Sequence, residues 1–177
     1  MPAFPRPDIG FVPTPADAIT AMLKLASLTP ADVVYDLGCG DGRLLIRAAA
    51  DYGVSGVGVD VDKTLLERAQ TEAEQAGLGD RLRFRQGNLF EVDLYGATVV
   101  FIYLLPHLNL RLRSSLQTQL RPGSRIVSHM FDMGDWVPQT RLRLEPSEED
   151  SVLYLWRIAD QTAPEASGAV DGLHSAT

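Results

Sequence analysis

The segment that most limits how this chain can fold is Val33-Val-Tyr-Asp-Leu-Gly-Cys-Gly-Asp-Gly-Arg43, where an apolar run passes into alternate glycines and then into the apolar helical pattern Leu44 to Ala50. Gly38, Gly40 and Gly42 allow the backbone to approach a ligand closely, and the helix that follows aims free N–H groups at the same place. Such a strand-loop-helix belongs to an α/β sheet that handles a nucleotide-like ligand.

A dinucleotide fingerprint has its third glycine one position later, where helix and strand pack around a pyrophosphate. Here the order is D-x-G-x-G-x-G, with Asp36 ending the strand. A carboxylate is a poor neighbour for a pyrophosphate and a good one for an ammonium group, such as that of S-adenosyl-L-methionine (SAM). The next strand reads as Gly56-Val-Gly-Val-Asp60, and its acidic end can take both hydroxyls of a ribose. These residues resemble motif I, and the acidic strand end after it, of the class I SAM-dependent methyltransferases. The resemblance implies a Rossmann-like, doubly wound α/β fold, a mostly parallel seven-stranded sheet ending in an antiparallel hairpin.

The rest of the chain is consistent with that plan. Pro2, Pro5, Pro7 and Pro13 favour an extended arm over residues 1–13. Thr14 is placed to cap a first helix, with Pro15 at its first position and Asp17 in its first turn. Strands are expected at Val33 to Asp36, Ser55 to Asp60, Leu82 to Gln86, Ala97 to Tyr103 and Ser124 to Phe131. Helices are expected from Arg43 to Tyr52, from the Asp62 cap to Gly77, and from Leu108 to Leu120. Thr140 to Leu144 and Ser151 to Arg157 read as an antiparallel pair at the sheet edge, joined by the acidic turn Pro146 to Asp150. Five strand-helix repeats and this hairpin put a ligand crevice at the strand carboxyl ends. The expected division is an arm, 1–13, a SAM-dependent methyltransferase domain, 14–158, and a disordered tail, 159–177.

Length and charge narrow the partners. At 177 residues the chain suffices for one well-buried domain and is too short for two. Its net charge of −7 argues against tight, non-specific nucleic-acid binding and suits a cationic acceptor. A single cysteine, Cys39, excludes an intrachain disulfide and a thiolate zinc site, and no metal site is expected. The N-terminal residues lack a secretory pattern and the longest apolar run, Ala97 to Pro106, is far short of a membrane span, so a cytoplasmic protein is expected.

Three loops should surround the ligand. Asp36, Gly38 and Gly40 would hold the amino-acid end of SAM, with Cys39 a small filler of that loop rather than a nucleophile. Asp60 would hold the ribose and Asn88 the adenine, where methyltransferases of this class often carry aspartate, while Val61 and Leu89 offer apolar surface to the ring. Gly87-Asn88 reads equally as a plain turn.

Phe11-Val-Pro-Thr-Pro15, Tyr103-Leu-Leu-Pro106 and Ser128-His-Met-Phe-Asp-Met-Gly-Asp-Trp136 resemble the small protein-lysine methyltransferase family. That family includes the mitochondrial enzymes acting on the ATP synthase c-subunit and the adenine nucleotide translocase, with archaeal relatives acting broadly on protein lysines. The resemblance spans Phe11 to Arg157, without the membrane-associating N-terminal segment of the mitochondrial members. It implies methyl transfer from SAM to a lysine of an acceptor protein, with S-adenosyl-L-homocysteine as product. Thr14 would then close over the cofactor. Tyr103 would orient the amine and Asp132 or Asp135 would attract the lysine, with Pro106, His129 and Trp136 as further substrate contacts. A plainer reading has Trp136 covering the sheet edge and the two aspartates capping a turn. The rival functions are a small-molecule methyltransferase and a SAM-binding sensor without catalysis. An NAD-dependent oxidoreductase is disfavoured by the loop spacing.

Overall fold

Strands form where apolar residues run on or alternate: β1 Val33–Leu37, β2 Ser55–Asp60, β3 Leu82–Gln86, β4 Val99–Ile102, β5 Arg125–His129, β6 Thr140–Arg143 and β7 Val152–Arg157. The helices are α1 Ala16–Leu25, α2 Arg43–Tyr52, α3 Lys63–Gln75 and α4 Pro106–Gln119. This computed structural model describes residues 10–160. The remainder of the proline arm and of the tail, with His174, lies outside the described residues.

All seven strands join one sheet in the order β3-β2-β1-β4-β5-β7-β6. The first five are parallel, and β7 lies antiparallel between β5 and β6. Chain direction across the sheet reverses between β1 and β4, which opens a crevice at their carboxyl ends. Both faces are covered, so β4 is buried at every position and reads as an unbroken apolar run. Successive residues serve opposite faces: Val127, Leu153 and Leu155 join the core under α1 and α2, while Ile126, Tyr154 and Trp156 join the core under α4.

At the amino ends of the strands, Asp32 ties the sheet together. Its carboxylate accepts from the Thr29 amide (2.8 Å) and the Thr98 hydroxyl (2.7 Å) and pairs with Arg125 at the start of β5. Burial alone would raise the Asp32 pKa, but these partners outweigh it and hold the carboxyl below its ordinary value.

Several expectations need correction. The crossover from β3 to β4 carries a single 3-10 turn, Leu89–Glu91, and no helix follows β5 among the described residues, so the five strand-helix repeats are not all present. Val92 and Leu94 alternate into the core, and the Leu94 amide donates to Gln119 of α4 at 2.8 Å, which holds that crossover extended. The residue capping α1 is Pro15, with no side-chain bond, and Thr14 is left for the crevice wall. Helix α4 starts at Pro106 rather than Leu108, because proline suits the first turn. The fourth strand is shorter than Ala97 to Tyr103, and the fifth ends at His129 because Met130 turns the chain at φ +70°. Asp62 does cap α3, accepting from the Thr64 and Leu65 amides.

Candidate active site

The carboxyl ends of β1, β2 and β4 enclose a cavity of about 460 Å³, in the usual range for a small-molecule site. Its floor is the glycine loop, whose amides are spent on the sheet. The Gly38 and Cys39 N–H groups donate to the Val59 carbonyl (2.8 and 3.1 Å), Gly40 donates to Asp60 Oδ2 (2.8 Å), and Gly42 donates to the Cys39 carbonyl (2.9 Å). A phosphate-binding loop keeps such amides for its ligand. These loop amides are engaged within the protein, and the wall beside them carries the carboxylates of Asp36, Asp41 and Asp60.

Within the loop, Gly40 and Gly42 are required by contact. At Gly42 (φ +76°) a Cβ would lie 2.7 Å from Phe84 and 2.8 Å from Ala69, so only glycine lets α2 and α3 close on β3. At Gly40 (φ +54°) a Cβ would lie 2.3 Å from the Phe11 ring. Phe11 crosses the loop here and lines the cavity, with Arg43 5.9 Å from its ring centre, so Gly40 itself is covered and leaves the wall.

Asp36 sits in the wall at 7% exposure, and among the described residues no hydrogen bond or ion pair reaches its carboxylate. Burial, with Asp60 and Asp41 nearby, pushes its pKa up to about 7. Asp41 is neutralised by Arg43, with bonds of 3.0 and 2.7 Å. Asp60 also accepts from the Asp62 amide (2.9 Å), and each of its oxygens keeps a lone pair for a hydroxyl. Cys39 lines the cavity with its thiol pushed well up by burial, which makes it inert.

Of the residues singled out in the sequence, Thr14, Asp36, Gly38, Cys39, Asp60, Val61, Asn88, Leu89 and Tyr103 come together in this wall. Asn88 also caps its own turn, accepting from the Phe90 amide (3.1 Å) and donating to Glu91 (3.0 Å). Pro106, His129, Asp132, Asp135 and Trp136 are outside the wall. Asp132 accepts from the Gly134 amide (3.0 Å), as the turn-capping reading has it, whereas Asp135 pairs with Arg113 of α4. Trp136 packs on Trp156, whose Nε1 donates to the Trp136 carbonyl (2.7 Å). His129 is fully buried behind Tyr103.

The wall also contains Phe11, Phe90, Leu104, Arg111 and Phe131, whose individual roles no sequence pattern marked. Arg111 lies over the Phe90 ring at 3.9 Å, joining α4 to the 3-10 turn. A helical wheel puts Arg111 on the surface and gives no sign of that pairing.

Residues 36–140 match the family described as the ANTKMT methyltransferase domain, from the end of the glycine strand to the start of β6. The chain belongs to this family. A protein-lysine N-methyltransferase of Saccharolobus islandicus is 39% identical over 87% of this chain and 96% of its own length. The Xenopus laevis lysine N-methyltransferase named for the ATP synthase c-subunit is 29% identical over 77% of this chain, which spans 60% of that enzyme. Among solved structures, an RNA methyltransferase from Salinibacter ruber in complex with S-adenosyl-L-homocysteine is 47% identical, with a TM-score of 0.80 over 87% of this chain and 97% of that one.

This methyltransferase's cavity fits SAM as the methyl donor. The unpaired, buried Asp36 offers a counter-charge to an ammonium, Asp60 keeps acceptors for hydroxyls, and Val61 and Leu89 supply apolar wall. A pyrophosphate would meet carboxylates where it needs amides. No helix among the described residues is long and apolar enough to cross a membrane.

Proposed function

We propose that this methyltransferase transfers methyl groups from SAM to lysine side chains of an acceptor protein. The observation that carries the reading is the relation to the Saccharolobus islandicus enzyme, which runs through nearly the whole of both chains. It takes in Tyr103 and the β6–β7 turn as well as the cofactor loops.

SAM, when bound, supplies an electrophilic methyl group on a sulfonium. Asp36 holds the cofactor's ammonium, Asp60 its ribose, and Val61, Asn88 and Leu89 its adenine, while Thr14 and Phe11 close the amino-acid end. A lysine amine has an ordinary pKa of about 10.4 and must lose its proton to attack. The apolar stretch of Phe101, Leu104 and Phe131 favours the neutral amine and excludes water. Tyr103, partly buried and with its own phenol pKa raised chiefly by that burial, stays protonated and aims the amine lone pair through its hydroxyl. The acidic turn is docked on α1 through the Glu148 amide and Asp17 (2.9 Å), and its Glu149 is near enough to Tyr103 to add to the rise of that phenol's pKa, which suits an incoming cation.

The Salinibacter ruber relative, named for RNA, supports a second reading in which the acceptor is a base. The test is transfer from methyl-labelled SAM to an extract of the source cells, separated into protein, RNA and small molecules. Label on protein, mapped to lysine and lost in Asp60→Ala, is the expected result. Label confined to RNA or to small molecules overturns the lysine reading.

A further inference from the structure

His129 is a buried titratable group beside the crevice that the proposed reaction leaves unused. Because Ile102 pairs with Ser128 across β4 and β5, Tyr103 and His129 emerge side by side at the two strand ends. Their ring centres are 4.3 Å apart at a 59° tilt. Tyr103 is in the cavity wall, whereas His129 is 0% exposed and forms the layer behind it. On its far side the imidazole Nε2 is 2.9 Å from the hydroxyl of Ser151, itself fully buried just before β7. The Ser151 amide in turn donates to Ser147 (2.9 Å), so this contact reaches into the acidic turn.

The other ring nitrogen, Nδ1, is buried and has no hydrogen-bond partner among the described residues. Leaving a buried polar atom unpaired is unfavourable, and an apolar ring of the same shape would avoid it. A histidine is therefore a poor choice as mere filler at this position.

We propose that His129, anchored through Nε2 to Ser151, is a positioning residue that holds the Tyr103 ring in the orientation the acceptor amine requires. It touches neither cofactor nor acceptor. Burial, opposed only weakly by Asp17, pulls its pKa down to about 4, so at neutral pH it adds no positive charge beside an arriving ammonium. The proposal rests on the reading of Tyr103 as the residue that orients the amine.

The test uses the full chain with Ser151→Ala and His129→Phe, each alone and with Tyr103→Phe. One readout is transfer from labelled SAM to extract protein. The other is the Tyr103 ring signal in an NMR spectrum of ring-labelled tyrosine, assigned through Tyr103→Phe. Each variant is expected to cut kcat by roughly 3–10-fold while KM for SAM stays within about twofold. Neither should slow Tyr103→Phe further, and both should move the Tyr103 signal. His129→Phe removes the unpaired nitrogen but strips the buried Ser151 hydroxyl of its partner. The double variant His129→Phe/Ser151→Ala leaves neither atom unpaired, so it is the one whose melting temperature should match the parent and separates loss of rate from loss of fold.

An equal slowing in the Tyr103→Phe background, or an unmoved Tyr103 signal, overturns the proposal. Full activity of Tyr103→Phe alone would instead refute the role given to Tyr103. The NMR readout needs no acceptor, so it decides the coupling even where extract protein takes no label, an outcome that sinks the lysine reading.

Discussion

Asp32 and Asp36 flank the same strand, four positions apart, and have opposite surroundings. Asp32, at the amino end, is met by the Thr29 amide, the Thr98 hydroxyl and the Arg125 guanidinium, and its pKa is held down. Asp36, at the carboxyl end, is as deeply buried, meets no partner among the described residues, and has its pKa pushed up to about 7. The first carboxylate contributes to stability; the second costs stability in the free protein and is repaid when a cation arrives. In a doubly wound sheet the two strand ends divide these tasks, with structural polar groups at one and ligand groups at the other.

The largest effect expected from breaking this contrast is at the structural end. Asp32→Ala leaves Arg125 buried without its partner and should cost about 3–5 kcal/mol, read by denaturant unfolding. The affinity of the folded fraction for SAM should not change.

At the other end the signs reverse. Asp36→Asn should weaken SAM binding by roughly 100-fold, as expected for truncating one side of a buried charge pair. The same variant should melt higher than the parent at pH 8. Free folded protein holds the Asp36 proton up to about pH 7, whereas the unfolded chain releases it near ~4. The cost of Asp36 therefore grows as pH rises through that window and is complete above it. The stability gain of Asp36→Asn should accordingly be present at pH 8 and gone by about pH 4.

Cofactor affinity gives a sharper form of the same contrast. If the proposed contact of Asp36 with the SAM ammonium holds, SAM selects the ionised carboxylate, and wild-type affinity should fall about tenfold per pH unit below 7 and level off above it. Asp36→Asn should lose that slope. Calorimetric titrations at pH 6 and pH 8 check both statements.

Smaller effects are expected further from the pair. Phe11→Ala removes the ring that covers Gly40 and should raise the Kd for SAM by roughly 3–10-fold, with little change in melting temperature, since Phe11 is 45% exposed. Asp135→Ala breaks only the exposed pair with Arg113 and should shift melting by less than about 2 °C.

The sequence revealed much of the fold because so many constraints act locally. Strands buried on both faces must be continuously apolar, as β4 is, and Asp62 caps α3 with atoms only two and three residues away. The failures have non-local causes. The count of five strand-helix repeats fails here because the crossover that carries Leu94 is tied to Gln119, 25 positions on, instead of forming a helix. Thr14 resembles an ideal cap but is drawn into the crevice wall instead.

The site shows the same division. Asp36, Asp60 and the glycines are readable because one loop carries them at fixed spacing. That the loop spends its amides on Val59 and Asp60 depends on β2, and no spacing shows it. Trp136 reads both as a substrate contact and as cover for the sheet edge, and Trp156 packed against it, 20 positions on, favours the cover.

The most direct test of the account is calorimetric titration of SAM into wild type and Asp36→Asn at pH 8, with the melting temperature of each free protein measured alongside. The account predicts that the variant binds about 100-fold more weakly and yet melts higher. Equal affinity, or a variant that melts lower, would contradict the assignment of Asp36 as a carboxylate held unpaired for the cofactor's ammonium.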